Sequence, residues 1–322
     1  MLNPRRAYLT VLASAVGVVA TVGCNRASDA PRGDSVTATL PEVAAVDSQR
    51  SPARSGWDAT AGPVLLIASE RPEAAIVVFP EIQGEHAAAE LQLDTTALRG
   101  STAALFTRAG EIRLGTLGDG TAPAEEEDCA GWPMLRVSSP AGTVAPWSIG
   151  LVGTRVVPIA LDSMGSLSAA DSSGLVAEVA RLASIVPVRE SATRLRGLPF
   201  SVQDVRRFQT GTRTDVVVAH VVRRVHEEAN PLEERTLLIA ERDSSQRPNV
   251  RGRYVIAFYQ RSVGHEETLE GSEVLGAFTY RNSSRPTLVV ARESEGGVRY
   301  TLIERSSART WRVKWTSALV RC

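Results

Sequence analysis

Short apolar runs separated by turn residues dominate the chain from residue 63 onwards. Continuous apolar runs of this length are typical of buried strands, and turn residues between two of them predict a hairpin. The first half of this region contains the runs Pro63–Ser69, Ala74–Pro80, Thr102–Arg108, Glu111–Leu117, Met134–Ser139 and Arg155–Leu161. Gly118–Asp128 is rich in glycine and acidic residues and is predicted to be a loop. Pro158 lacks the N–H that a strand ladder requires, so it predicts an edge position for the last run.

One stretch has helical periodicity instead. Apolar residues recur at intervals of three and four along it, at Leu175, Val179, Leu182 and Val186. This spacing predicts a helix over Leu167–Val186 with one apolar face. Ser168 followed by Asp171 resembles a capping box at its start, and Pro187 ends it. Gly174 weakens the helical propensity of the first turns.

The second half of the region returns to strands after a second, shorter helix predicted at Ser201–Phe208. The predicted strands are Asp215–Val225, Arg235–Arg242, Arg253–Arg261, Glu273–Tyr280, Pro286–Arg292, Val298–Arg305 and Thr310–Ser317. In the last of them, Trp311, Val313 and Trp315 alternate with polar residues, which predicts that these three side chains face the core. The expected fold class is α+β, a mostly antiparallel meander backed by one or two helices, with an all-β, propeller-like arrangement as the alternative.

The start of the chain has a different pattern. Arg5 and Arg6 precede Ala7–Gly23, which contains no charged residue. A basic start followed by a short apolar stretch is typical of a signal peptide. The alternative is an uncleaved anchor helix, but the stretch is shorter than the roughly 20 residues that a membrane span needs.

A cysteine follows this apolar stretch directly, in the sequence Thr21-Val22-Gly23-Cys24. The sequence resembles the lipobox of bacterial lipoproteins, in which small residues precede a cysteine that is acylated and becomes the new N-terminus. The resemblance implies fatty acyl chains such as palmitate on Cys24, and therefore a membrane anchor at the bacterial cell envelope. Asn25 stands where an aspartate would imply retention at the inner membrane, so the outer membrane is expected rather than the inner one.

Residues 24–62 contain few large apolar side chains and many Ser, Ala, Pro, Asp and Arg residues. Such a composition buries too little surface to order the chain, so a flexible tether is predicted. About 35 residues of random coil span roughly 30–35 Å root-mean-square. The expected organisation is a signal peptide at 1–23, a tether at 24–62 and a single β-rich domain at 63–322.

Two cysteines remain after Cys24. In an oxidising compartment Cys129 and Cys322 are expected to form a disulfide bond, which would restrict the unfolded chain by about 4–5 kcal/mol in the chain-entropy model. Free thiols or a metal-binding pair are the alternatives, although the two residues lack the CxxC spacing of zinc sites.

The charges exclude one class of partner. The chain has 36 basic and 36 acidic residues, and both signs are mixed along its length. It has no basic stripe of the kind that binds nucleic acids, so no nucleic-acid partner is expected.

Candidate chemistry is sparse. The tripeptide His-Glu-Glu occurs twice after predicted strands, at His226-Glu227-Glu228 and His265-Glu266-Glu267. Imidazole and carboxylate groups bind metals or act as general bases, but neither copy has the second histidine of HExxH. Two solvated acidic turns are therefore the simpler interpretation. The chain has no nucleophile elbow, Walker loop or dinucleotide fingerprint, and no cofactor is predicted.

Two functions from different classes follow. The first is a non-catalytic, envelope-anchored lipoprotein whose domain binds an envelope protein or a small ligand. The alternative is an envelope hydrolase, metal-dependent through His226 and Glu227 with His265 and Glu266. The sequence assigns no catalytic residues and no resident metal.

Overall fold

The computed structural model describes residues 64–69, 71–78, 95–121, 132–152, 156–187, 190–211, 213–225, 230–243, 252–281, 283–317 and 319. All of them belong to one compact unit, Arg50–Cys322. The first strands are β1 Leu65–Ala68, β2 Ala74–Val78, β3 Thr102–Phe106, β4 Ile112–Thr121, β5 Met134–Ser138, β6 Ile149–Val152, β7 Val156–Ile159 and β8 Asp162–Ser163. The helix α1 Ala169–Ile185 follows, and then β9 Ser201–Thr210, β10 Thr214–Arg224, β11 Leu232–Asp243, β12 Val255–His265, β13 Gly271–Tyr280, β14 Pro286–Ser294, β15 Gly297–Ser307 and β16 Thr310–Thr316. Short 3-10 segments occur at Thr95–Leu98, Met164–Ser166, Glu190–Leu195 and Glu266–Thr268.

Strands β1 to β6 form a closed barrel in the order β1-β2-β5-β4-β3-β6. Closure leaves no strand edge unpaired. Leu105 projects between two glycines of neighbouring strands, and a Cβ on Gly150 would lie 2.7 Å from Leu105 Cδ2. A Cβ on Gly115 would lie 2.9 Å from Leu105 Cδ1. The two glycines therefore make room for one large side chain in a narrow barrel.

The other ten strands form two five-stranded antiparallel sheets. We call them the barrel-side sheet, of order β16-β15-β14-β13-β7, and the helix-side sheet, of order β12-β11-β10-β9-β8. Apolar side chains from both sheets form one core between them, including Phe208, Val218 and Ile239 from one sheet and Leu288 and Ile303 from the other. The two sheets therefore pack face to face as a sandwich.

The outer faces of this sandwich are also covered. Phe106 of the barrel contacts Phe278 of the barrel-side sheet edge to face, with ring centroids 6.4 Å apart. Gly276 permits this close approach, because a Cβ there would lie 2.8 Å from Ile149 Cδ1. On the opposite side, α1 packs Val179 and Leu182 against the helix-side sheet. The layers are thus barrel, sheet, sheet and helix.

One buried carboxylate connects the two sheets. Glu241 of β11 is 2% exposed and accepts hydrogen bonds from Arg305 Nε at 2.7 Å and Arg305 Nη2 at 2.8 Å. It also accepts the Arg309 N–H at 2.9 Å and the Trp311 indole N–H at 2.6 Å. Burial raises the pKa of Glu241, but these hydrogen bonds outweigh that effect and lower the pKa below its ordinary value.

A second buried ionic group holds the end of α1 over its sheet. Glu234 lies between Arg223, with Arg223 Nη2 at 2.7 Å from Glu234 Oε2, and Arg261, with Arg261 Nε at 2.9 Å from Glu234 Oε1. Arg261 also donates to the carbonyls of Val186 and Pro187, just beyond the last turn of α1. A cation at the C-terminal end of a helix binds carbonyls that lack a helical partner.

The strand-rich, mostly antiparallel prediction is confirmed, and the helix exists with Ser168 as its cap, which accepts the Asp171 N–H at 3.2 Å. The strand containing Pro158, β7, is at the edge of its sheet as expected. A single meander backed by helices is not what forms, because the described strands divide among a barrel and two sheets. Nor do the described strands form propeller blades.

Three local predictions are wrong. Ser201–Phe208 is not a helix but most of β9, because Val205 faces α1 while Phe208 faces the sandwich core. Val205 and Phe208 are three residues apart, which is the spacing of neighbours on one helix face, although in β9 they lie on opposite faces of the strand. The predicted loop at Gly118–Asp128 begins inside β4, which continues to Thr121. Trp315 packs against the apolar cluster between the barrel and the barrel-side sheet rather than beside Trp311, because a bulge in the β15–β16 pairing turns it to the other face.

Candidate functional site

Most sequence-predicted site residues lie outside the described part of the chain. These residues are Cys24, Cys129, Cys322, His226 and Glu227. Lipid attachment, the disulfide bond and one half of the metal-binding alternative therefore stay predictions.

The second His-Glu-Glu turn is described. His265 is the last residue of β12, and Glu266 begins the 3-10 segment that leads to β13. Both side chains are exposed, and His265 Nδ1 lies 3.0 Å from the carbonyl oxygen of Asn230. Among the described residues, no group of three or more His, Cys, Asp or Glu side chains could hold a metal ion. The contacts of His265 fit a residue that stabilises the turn.

A third histidine, His220, lies in the helix-side sheet. The structure places it on β10 directly opposite Asp204, half-buried, on the sheet face that contains Val218 and Val222. Burial lowers the pKa of His220, and the charge of Arg235 lowers it further, so the ring is neutral near neutral pH. It has the environment of a structural histidine.

A cleft opens elsewhere, between the N-terminal half of α1 and one end of the helix-side sheet. Its volume is about 390 Å³, within the range of small-molecule sites. The helix wall consists of Leu167, Ala170, Asp171, Gly174, Leu175 and Glu178. The sheet wall consists of Arg207, Arg242, Gly252, Arg253 and Tyr254. Acidic residues on one wall thus face basic residues on the other.

Asp215 holds the sheet wall in place. Its side chain is 3% exposed, and its Oδ2 lies 3.2 Å from Arg207 Nη2 and 2.7 Å from Arg242 Nη2. Gln209 Nε2 donates to the other oxygen at 3.1 Å. Burial raises the pKa of Asp215, but the hydrogen bond from Arg242 and the charge of Arg207 lower it below its ordinary value. The carboxylate therefore stays ionised and fixes both guanidinium groups.

Tyr254 forms the base of the same wall. The Arg242 guanidinium lies over its ring, 4.6 Å from the centroid. This distance is typical of a cation–π contact. Burial raises the pKa of Tyr254, so the phenol stays protonated at neutral pH. Its hydroxyl is buried near Arg207 without a hydrogen bond of good geometry. The stacked ring restricts Arg242 and keeps its planar group in one orientation.

The helix wall carries two acidic side chains. Asp171 Oδ2 accepts the Ser168 hydroxyl at 2.8 Å as part of the helix cap. Glu178 accepts two hydrogen bonds from Arg181, each 2.8 Å long. The hydrogen bond from Arg181 lowers the pKa of Glu178, with a smaller contribution from the charge of Arg253 across the cleft. Both carboxylates are therefore oriented by neighbours, and Glu178 is a weak proton acceptor.

Gly174 lies within α1 and lines the cleft. A glycine inside a helix costs about 1 kcal/mol relative to alanine. Neither packing nor backbone conformation requires it here, since a Cβ at this position would meet no atom within 4 Å and its φ is not positive. The consequence of the missing side chain is open space in the cleft.

The charged groups of this arrangement are suited to binding a charged ligand. The described lining residues include no Ser, Cys, His or Lys that could act as a nucleophile. Its charged groups are arginines, which stay protonated, and carboxylates already engaged by hydrogen bonds. Such groups hold a charged ligand but do not move protons efficiently.

Sequence reasoning did not find this cleft. Its arginines come from β9, β11 and the residues before β12, and no short motif connects them. Two signals were present. Gly174 interrupts an otherwise regular amphipathic helix, and Asp215 begins a strand of valines where an unpaired charge would be costly. Gly174 and Asp215 are thus both residues whose choice is not explained by packing in the core.

Comparisons with known proteins give no family for this chain. No protein-family model, no curated protein and no solved structure matches it. Among the described residues, no helix combines the length and the apolar character needed to cross a bilayer.

Proposed function

We propose that this protein is a non-catalytic, ligand-binding lipoprotein of the bacterial cell envelope. The observation that carries the proposal is the cleft beside α1, in which fixed charges of opposite sign face each other and the described lining residues include no Ser, Cys, His or Lys. A small ligand fits this site better than a protein surface does, because Glu178, Arg207 and Arg242 are half-buried between the two walls.

The anchoring part of the proposal rests on the chain start. Acyl chains on Cys24 would place the protein at a membrane surface, at the outer membrane rather than the inner one. Each buried methylene contributes about 0.8 kcal/mol, so several chains hold firmly where one does not. The tether of residues 24–62 would then let the domain search the space near that membrane.

The anchoring experiment expresses the full chain and its Cys24→Ala variant in a bacterial host and fractionates the cells. We expect the unaltered protein in detergent-extracted membranes, with an acylated N-terminal cysteine identified by mass spectrometry. The variant should be soluble or retain its first 23 residues. An unmodified Cys24 in the unaltered protein would refute the lipid anchor.

The non-catalytic part has its own test. The purified protein is assayed against a panel of ester, peptide, phosphate and glycoside substrates, with and without added Zn²⁺. We expect no turnover above the buffer. Zinc-dependent hydrolysis that disappears in His226→Ala and in His265→Ala would replace this proposal with the metal-dependent hydrolase.

A further inference from the structure

We propose that the cleft beside α1 binds a zwitterion, an amino acid or short peptide with a free ammonium and a free carboxylate group. This inference rests on the proposed binding function and names the ligand class. Its basis is the separation of charge between the two walls of the cleft.

The sheet wall is suited to the carboxylate. Arg207 and Arg242 share one oxygen of Asp215, through one nitrogen of Arg207 and two nitrogens of Arg242. A guanidinium group has five N–H donors, so Arg207 can donate to a ligand while it keeps its contact with Asp215. Exposed Arg253 adds a third guanidinium at the rim. Planar forks of this kind bind carboxylates with two parallel hydrogen bonds.

The helix wall is suited to the ammonium. Asp171 and Glu178 are one turn on either side of Gly174, so both face the cleft. A carboxylate has about four lone-pair positions and accepts further donors while it keeps its present hydrogen bonds. A simple anion would meet these two acidic groups and be repelled, whereas a zwitterion complements both walls.

The dimensions agree with a small peptide. The cleft of about 390 Å³ lies at the low end of ligand sites. Leu167, Ala170 and Leu175 supply apolar contacts, and the missing side chain of Gly174 leaves room between the charged groups. Opposite charges on the two walls, with apolar side chains between them, suit a ligand of one or two residues with both ends charged.

The first test measures binding of L-alanyl-L-alanine to the full chain by isothermal titration calorimetry. Three matched ligands carry an acetylated N-terminus, an amidated C-terminus or both caps. We expect each single cap to weaken binding at least tenfold and the double cap to abolish it. Equal affinity for all four peptides would overturn the zwitterion proposal.

The second test locates the site with variants. Gly174→Leu should abolish dipeptide binding without lowering the melting temperature, because leucine favours helix and fills the cleft. Gly174→Ala should retain binding. Arg253→Ala should weaken binding of the free-carboxylate peptide five- to tenfold but leave the amidated peptide unchanged. Arg312→Ala, an exposed arginine on β16, is the control and should have no effect.

The outcomes distinguish failure of the zwitterion proposal from failure of the proposed ligand-binding function. If no peptide binds, the zwitterion proposal is wrong, and the same variants are then titrated with neutral sugars and simple anions. Binding of one of these that Gly174→Leu abolishes leaves the cleft as a binding site for another ligand class. If Gly174→Leu changes none of them, the ligand-binding function fails as well.

Discussion

Replacement of Glu241 by alanine should destabilise the protein more than any exposed substitution. The carboxylate is buried between the two sheets and accepts four hydrogen bonds, from Arg305, Arg309 and Trp311. The variant leaves the Arg305 guanidinium, which is 20% exposed, without its partner and the buried Trp311 N–H without an acceptor. Removal of one member of a buried pair typically costs about 3–5 kcal/mol.

This loss of stability is large compared with the total free energy of unfolding of a domain, which is about 5–15 kcal/mol. We expect the free energy of unfolding in Glu241→Ala to fall by about 3–5 kcal/mol. Urea titration followed by tryptophan fluorescence measures this fall. Asp119→Ala, which breaks the exposed pair with Arg99, is the matched control and should cost less than about 0.5 kcal/mol.

A double-mutant cycle with Arg305→Met isolates the pairwise contribution. If Glu241 acts through Arg305, the double variant should be more stable than Glu241→Ala, because no half-buried cation is left without a partner. A loss below about 1 kcal/mol in Glu241→Ala, or strictly additive effects, would refute the idea that this carboxylate joins the sheets.

Three further predictions concern glycines and pH. Gly174→Ala should raise the free energy of unfolding by about 0.5–1 kcal/mol, measured by urea titration, since the added methyl group meets no neighbour; a loss of stability would show that the position is sterically restricted. Gly150→Ala should lower it by about 1–3 kcal/mol, because the new methyl group collides with Leu105, and unchanged stability would argue against a tightly filled barrel. The pKa of Asp215 is lowered in the folded state, so its contribution is complete above its unfolded pKa of about 3.9 and is lost as pH falls through the folded value. Urea titrations between pH 3 and pH 7 should therefore show a shallower acid loss in Asp215→Asn than in the unaltered protein, and parallel curves would contradict this assignment.

The sequence predicted the individual strands well but not their grouping. Runs such as Asp215–Val225 and Pro286–Arg292 coincide closely with β10 and β14, because apolar runs between turn residues report local burial. The grouping of strands into sheets depends on pairing between residues far apart in sequence. The periodicity of apolar residues along the chain gives no information about that pairing. β9 was mistaken for a helix because its apolar residues serve two different cores, and Trp315 changed face through a bulge.

The cleft was harder to predict than the fold. Arg207 and Arg242 come from strands separated in sequence and are neighbours through Asp215, a contact that exists only after the sheet has formed. Gly174 was visible as an exception to helical propensity, but its meaning depends on the empty space beside it. These residues can be recognised as parts of a binding site only when the structure shows the cleft that they line.

The position of the barrel-side sheet also matters before the chain is complete. Phe106 and Ile149 on the barrel surface are covered by β13, which is synthesised long after them. Until β13 has been synthesised and has packed against the barrel, this apolar patch is exposed to solvent and can cause aggregation. In a chain truncated after β12 this patch would stay exposed. We therefore expect the protein to need chaperones mainly during the time between synthesis of the barrel and synthesis of the last four strands.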